Sequence, residues 1–382
     1  RFQRVELRLR DISLVNFRNY RDFTLNSIGD LTVFVGKNAI GKTNLLEAIQ
    51  LCSALDSFRH PNSAQLVAEG EGFSRLSASI EGDARKLDIV MKVSAGRRQF
   101  FLNDKKKSIA DLKGTLPAVI FTPDDLALVK NSSSLRREAL DELGSQLTKS
   151  YYVVKHDYEK AVRYKNKLLK EEASPIFLQS INDTLLTCGT QLEYYRAELF
   201  SRLSEKLMAN YDRLSDGEVL ESRYIPSWCS IDSSDFQTKF DDLSDKDFIK
   251  RKMSEAFDRA LPEERARKRS LIGPHADKIS LEIDRRSVAD YASQGQRRSV
   301  VLAWKLAEVS VIKGSLNQNP ILLLDDVMSE LDGSRRESLV DLVEGDMQTF
   351  ITTTNLSYFT DELLSRASVV ELPATENAIR LS

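Results

Sequence analysis

Leu31-Thr32-Val33-Phe34-Val35-Gly36-Lys37-Asn38-Ala39-Ile40-Gly41-Lys42-Thr43 is the stretch from which the rest of the chain is read. A β-rich apolar run enters a glycine loop, and helix formers follow from Asn44. This is a P-loop in its required context of strand, loop and helix. Gly36 and Gly41 let the backbone turn tightly enough for the N–H groups of Lys37, Asn38, Ala39 and Ile40 to wrap a phosphate at the positive end of a helix dipole. Lys42 reaches the outer phosphates as a point charge, and Thr43 offers a hydroxyl to Mg²⁺. The chain is therefore read as binding a nucleoside triphosphate.

Two further stretches fit the same chemistry. Ile321-Leu322-Leu323-Leu324-Asp325-Asp326 reads as a buried parallel strand that presents a carboxylate at its C-terminal edge, where Asp325 can hold the water shell of Mg²⁺. Upstream, Ser293-Gln294-Gly295-Gln296 opens a helix with apolar residues at Val300, Val301, Ala303, Trp304, Leu306 and Ala307. Ser293 stands at the N-cap position, and Gly295 leaves its N–H uncovered, which makes a second anion-binding helix start. Thr349 to Asn355 reads as one more strand.

Length and composition bound the remainder. A chain of 382 residues holds two or three domains of usual size. With 29% charged residues and a formal net charge of −2, any nucleic-acid surface must be a local patch. Cys52, Cys188 and Cys229 are odd in number and widely spaced, which argues against a disulfide framework or a zinc hook. No apolar run approaches a membrane span, so a soluble cytoplasmic protein with no membrane partner is expected.

In chain order, Val5 to Leu14 and Leu31 to Val35 read as strands joined by Asn16 to Phe23. Leu76 to Ile80, Leu87 to Val93 and Gln99 to Leu102 are short alternating runs between turn residues, expected as an antiparallel meander beside the P-loop strand. Lys105, Lys106 and Lys107 follow the last turn, as a solubilising edge in preference to a phosphate contact. Ala118 to Thr122 is a buried strand. From about Leu126 to Arg269 the pattern is helical and charged. Lys160, Arg163, Lys167 and Lys170 share one helix face, read as the solvated outside of an arm rather than a stripe along DNA, because Glu159, Glu171 and Glu172 sit nearby. Strand character returns from Ser270 to Asp284.

Asn16-Phe17-Arg18-Asn19-Tyr20 before a P-loop, Gly36 to Thr43, Ser293 to Gln296 and Asp325 to Asp332 together resemble the RecF family, bacterial recombination mediators among the SMC-like, ABC-type ATPases. The resemblance spans essentially the whole chain. It implies an α/β fold: an ABC-type ATPase head with a P-loop core and an antiparallel β subdomain, built from 1–122 and 270–382, with a mainly helical arm inserted at 123–269. It implies ATP and Mg²⁺ as ligands, with Thr43 and Asp325 on the metal. Ser293, Gly295 and Gln296 would be a signature that closes on the γ-phosphate held by a second protomer, at the opposite end of the head from its own P-loop. Asp326 would stand where ABC enzymes usually carry the Glu that orients and deprotonates the attacking water. One methylene fewer points to slow hydrolysis. Ser329 to Asp332 would be the D-loop of the dimer seam. Arg59, in a Ser57-Phe58-Arg59 element, is a candidate for contact with nucleotide or DNA, against a plain solvated loop arginine.

The chain also departs from the pattern. No glutamine marks a sensor loop after Phe121, and Thr353, Thr354 and Asn355 replace the switch histidine. The segment from Asn131 to Glu138 lacks the usual glycine. Gly273-Pro274-His275 is followed by Ala276 and Lys278 in place of the family's basic residue and second acid. His275 is then read as structural. The function implied is ATP-driven dimerisation of two heads that clamp duplex or gapped DNA, with slow, DNA-stimulated hydrolysis releasing it. RecO and RecR would be partners and RecA loading in gap repair the outcome. The alternative is an ABC-type ATPase subunit that drives a separate nuclease or permease.

Overall fold

In the computed structural model, described over residues 7–82, 85–130, 133–215, 217–229, 240–329, 336, 339–340, 343, 346–372 and 379–380, the apolar run Leu31–Val35 is a strand, β3, deep in a six-stranded sheet. Its parallel neighbours are β14 (Ser368–Glu371) and β13 (Thr349–Thr353). Beyond β13 lie β12 (Ile321–Asp325) and β8 (Ala118–Phe121), also parallel. At the other edge β15 (Ile379–Arg380) joins β14 in antiparallel sense. Strands covered on both faces carry unbroken apolar runs, and every residue of β8, β12 and β13 is buried.

A second six-stranded sheet is wholly antiparallel. It comprises β1 (Arg8–Phe17), β2 (Tyr20–Leu25), β4 (Phe73–Gly82), β5 (Arg85–Ser94), β6 (Arg97–Leu102) and β7 (Lys105–Lys107), in the order β2-β1-β4-β5-β6-β7. Its register aligns Leu14 with Leu76, Leu76 with Met91 and Met91 with Phe100, so one face is apolar throughout. The helix after the P-loop, α1 (Lys42–Ser53), is buried along nearly its whole length. Leu45, Leu46, Ile49 and Leu51 form one core with Phe34, Leu323 and Phe350 of the parallel sheet and Leu14, Leu76 and Met91 of the antiparallel one. A short helix, α2 (Ile109–Leu112), capped by Ser108, leads from β7 towards β8.

Two expectations are corrected. Residues 16–23 are not a connection between two strands: β1 continues to Phe17, turns at Arg18, whose φ is 53°, and pairs with β2 through Phe17 and Tyr20. The meander does not lie beside β3 in one sheet but forms its own sheet with β1 and β2, sharing the core through α1. Val5 and Glu6 lie outside the described residues.

The backbone falls into two units, Arg1–Asp125 with Glu308–Ser382, and Leu126–Ala307. The second begins with α3 (Ala127–Lys130), α4 (Ser133–Leu147), α5 (Lys149–Lys170) and the 40-residue α6 (Pro175–Leu214), which at about 1.5 Å per residue extends about 60 Å. After β9 (Leu220–Ile225) and α7 (Lys246–Arg267) come β10 (Lys278–Ile283), β11 (Arg286–Ser287), α8 (Val288–Tyr291) and the first part of α9 (Gln294–Leu316). The insertion was expected to end at 269. Instead β10 pairs with β9 over six successive residues, from Lys278 opposite Ile225 to Ile283 opposite Leu220, which carries 270–307 into the second unit.

Candidate nucleotide site and signature segment

The glycines of the P-loop are required by contact as well as by torsion. Gly41 has φ of 113°, and a Cβ there would strike the carboxamide of Asn19. A Cβ on Gly36 would come within 2.9 Å of the Leu372 carbonyl oxygen. The loop is also braced from the β1–β2 turn: Asn19 Nδ2 donates to the Ile40 carbonyl at 2.9 Å, and the Tyr20 hydroxyl to the Gly41 carbonyl at 3.1 Å. Asn44 Nδ2 donates in turn to Asn19 Oδ1 at 2.7 Å. Glycine spacing alone does not reveal this brace. Its only signal in the sequence is the Asn16–Tyr20 motif.

Lys42 spans the loop, with Nζ donating to the carbonyls of Gly36 at 2.7 Å and Lys37 at 3.0 Å. Burial lowers its pKa, opposed by the nearby carboxylates of Asp326 and Asp325. Thr43 Oγ1 donates to Asp325 Oδ1 at 3.0 Å, and Thr352 Oγ1 donates to the same oxygen at 2.8 Å. The structure thus joins two residues 282 positions apart in sequence. Asp326 follows the strand at φ 52°, its N–H bonded to Thr352 through the carbonyl at 3.2 Å and Oγ1 at 3.0 Å. Thr352, not singled out in the sequence, therefore positions both acids.

These residues fit a magnesium nucleotide. The N-terminus of α1 has no side-chain cap and no acid in its first turn, so its N–H groups and dipole remain available to phosphate. A hydroxyl and a carboxylate oxygen 3.0 Å apart are the hard donors that Mg²⁺ takes. At the switch position Thr353 Oγ1 donates to the Asn355 carbonyl at 2.9 Å and accepts the Asn355 N–H at 3.1 Å, while Asn355 Oδ1 accepts from Ser357 N–H. Neither side chain can take up a proton at neutral pH.

Arg59 is not simply a solvated arginine. Its Nη1 donates to Asn44 Oδ1 at 2.6 Å and lies 3.6 Å from Glu47 Oε2, tying it to α1 one turn beyond the P-loop. The fully buried Glu47 also accepts a two-pronged pair from Arg18 at 2.8 and 2.9 Å and a bond from Ser57 Oγ at 2.7 Å.

The signature segment lies in the second unit. Ser293 Oγ accepts the Gln296 N–H at 3.2 Å, and Gln296 Oε1 accepts the Ser293 N–H at 2.7 Å, a reciprocal capping box that starts α9. Gln296 Nε2 donates to Glu218 Oε1 at 2.7 Å, and the Tyr211 hydroxyl at the end of α6 donates to Glu218 Oε2 at 2.7 Å. Ser293 itself is exposed.

The remaining candidates sort readily. His275 Nε2 donates to the Ser270 carbonyl at 3.3 Å and its Nδ1 accepts from the Tyr158 hydroxyl at 2.7 Å, and burial lowers its pKa to about 4, so it is a satisfied structural histidine. Lys105, Lys106 and Lys107 form an exposed edge strand. On the exposed face of α5, Arg163 lies 3.9 Å from Glu159 and Lys167 lies 3.8 Å from Glu171. Asn131 and Ser132, and Glu330 to Asp332 of the expected D-loop, lie outside the described residues.

A family model described as the RecF/RecN/SMC N-terminal domain matches residues 8–373. The chain is 34% identical over 380 residues to the DNA replication and repair protein RecF of Heliobacterium modesticaldum, covering 96% of this chain and 98% of the relative. The chain belongs to the RecF family. RecF of Acetivibrio thermocellus is 35% identical over 359 residues, covering 91% and 93% of the two chains. Among structures, the recombination mediator RecF-ATP of the RecFOR pathway superposes with a TM-score of 0.85 at 28% identity, covering 97% of this chain and 96% of that one. An Smc head domain from Pyrococcus furiosus, at a TM-score of 0.51 and 15% identity, shares the fold. Among the described residues no helix is long and apolar enough to cross a membrane.

Proposed function

We propose that this RecF-family chain is an ATP-dependent DNA-binding protein of recombinational repair, and a slow ATPase. The observation that carries the reading is the 3.0 Å bond from Thr43 Oγ1 to Asp325 Oδ1, which brings a P-loop hydroxyl and a strand-end carboxylate together beside Lys42. Residues Gly36 to Thr43 would hold the phosphates, with Thr43 and Asp325 as the metal ligands. Bound there, Mg²⁺ would neutralise charge on the phosphate oxygens. Lys42 would exchange its two carbonyl partners for phosphate oxygens, and a buried ammonium makes strong charge-assisted bonds. Asp326 would orient the attacking water and accept its proton on a carboxylate oxygen. Its shorter side chain, with no titratable switch residue after β13, supports slow turnover.

The relatives support the biological setting. The curated RecF proteins are described as DNA replication and repair proteins, and the solved RecF as a recombination mediator of the RecFOR pathway. For this chain we infer that ATP closes two heads, with Ser293, Gly295 and Gln296 of one protomer meeting the γ-phosphate of the other. The closed pair holds duplex or gapped DNA. RecO and RecR are the expected partners, and RecA loading the outcome. Equilibrium binding to duplex, single-stranded and gapped oligonucleotides, with and without ATP and Mg²⁺, tests this. Retention of duplex or gapped DNA should require ATP. Equal retention without nucleotide would overturn the clamp.

A further inference from the structure

One peptide of the P-loop is not held in place by its own torsions. The peptide between Ile40 and Gly41 turns about ψ of Ile40 and φ of Gly41, and glycine takes φ of either sign at little cost. Gly41 stands at φ 113°, and Ala39, before Ile40, is also left-handed at φ 62°. The next peptide is better secured, because the Gly41 carbonyl accepts the Leu45 N–H of α1 at 3.1 Å and the Tyr20 hydroxyl at 3.1 Å. A trans peptide is planar, so its C=O and N–H point in opposite directions. The direction of the Ile40 carbonyl therefore decides where the Gly41 N–H is aimed, at the helix start where an anion would bind.

Three side chains set that direction. Asn19 Nδ2 donates to the Ile40 carbonyl at 2.9 Å, and its carboxamide lies against Gly41 where any Cβ would strike it. An amide also carries an oxygen, and the reverse orientation of Asn19 would set two acceptors face to face. The hydrogen bonds behind it exclude that orientation. Arg59 has donors only, so its Nη1 meets Asn44 at Oδ1, 2.6 Å away. Asn44 is left with Nδ2, which donates to Asn19 Oδ1 at 2.7 Å, and Asn19 is left with Nδ2 for the loop. Arg59 is itself anchored, with Nη1 3.6 Å from Oε2 of the fully buried Glu47. The donors thus run one way, from a permanent cation to the Ile40 carbonyl.

We propose, on the reading that this loop binds ATP, that Asn19 is a positioning residue for the nucleotide: it holds the Ile40 carbonyl so that the Gly41 N–H faces the phosphates, and Arg59, through Asn44, keeps its amide in the donating sense. Without Asn19 the peptide is free to flip, and the flipped loop turns a carbonyl oxygen towards the phosphates.

The test is isothermal titration of ATP with Mg²⁺ into the full chain, which reads Kd and stoichiometry separately, together with steady-state ATPase kinetics. Asn19→Ala should weaken ATP about tenfold or more at full stoichiometry, as for other hydrogen bonds to charged groups. It should raise KM with kcat nearly unchanged, because the N–H meets phosphate before and during reaction alike. Asn44→Ala should weaken ATP several-fold alone and no further when added to Asn19→Ala, since it acts through that residue. Lys42→Ala, which removes the ammonium, is the control for the loop itself. With that control deficient in ATP binding, the proposal is overturned if Asn19→Ala keeps the wild-type Kd, lowers only the stoichiometry, or lowers kcat at unchanged KM, or if the Asn19 and Asn44 losses multiply in the double variant. Failure of the wild type to bind ATP, or wild-type binding by Lys42→Ala, overturns the P-loop reading and the proposal with it.

Discussion

Lys42 is held by two loop carbonyls, and its ammonium is the strongest single attraction the loop can offer a triphosphate. Lys42→Ala should therefore lose ATP retention, measured by isothermal titration, with the fold retained by circular dichroism, since hydrogen bonds from a charged ammonium to phosphate oxygens are worth about 1.5–3 kcal/mol each. Normal affinity would remove the P-loop assignment. Asp326→Asn should still bind ATP but turn it over roughly 10² to 10⁴ times more slowly by phosphate release, the usual contribution of a general base. Unchanged turnover would move that role elsewhere. Asp325→Ala should instead weaken Mg²⁺-dependent binding itself. Away from the chemistry, Glu47→Ala would strand Arg18 beside a vacated buried site and cost about 3–5 kcal/mol, read as a fall in the urea midpoint. A midpoint within error of wild type would show that the Glu47 cluster is not structural.

At the scale of elements, the turn before β10 depends on protonation. His275 is neutral in the fold, with its pKa depressed from 6.5 to about 4 by burial. A basic group with a depressed folded pKa contributes stability above its unfolded pKa and loses it as pH falls through the folded value, so the window is about 6.5 to 4. The nearby carboxyls of Glu193 and Asp277 are raised by burial and act in the opposite sense, gaining stability as pH falls. The measurement is therefore the difference between wild type and His275→Asn. The gap in unfolding free energy should shrink by on the order of 3 kcal/mol from pH 7 to pH 4, at about 1.36 kcal/mol per pKa unit. A constant gap would show that the ring is not neutral in the fold. The α9 capping box is a simpler case: Ser293→Ala should cost about 1 kcal/mol whether or not the segment also meets a nucleotide.

For the whole molecule, the question is whether Ser293 only caps its helix or also completes a site on a second protomer. Ser293→Arg puts a bulky cation at an exposed helix start. It should leave ATP binding by the monomer intact, abolish ATP-dependent dimerisation by light scattering, and abolish ATP-dependent DNA retention. Mixed with Lys42→Ala protein, it can form a heterodimer with one site intact in both residues and one site with neither. Partial recovery of ATPase activity on mixing is expected. Dimerisation and hydrolysis at wild-type levels by Ser293→Arg alone would exclude the two-headed mechanism.

The features legible from the residues alone are those whose chemistry is local. Glycine spacing, a Ser-x-x-Gln helix start and an apolar run ending in two acids each state their own geometry, because backbone torsion, capping and two-sided burial act within a few residues. Which residues meet across the fold is set by packing between distant segments. The pairing of β9 with β10 moved 270–307 into the second unit, because a strand's alternation shows which face is buried and says nothing of its partner. Asn19 under the P-loop, Thr352 on Asp325 and the Glu47 hub were hidden for the same reason. A polar side chain's hydrogen-bond partner is set by packing across the core, not by its neighbours in the chain.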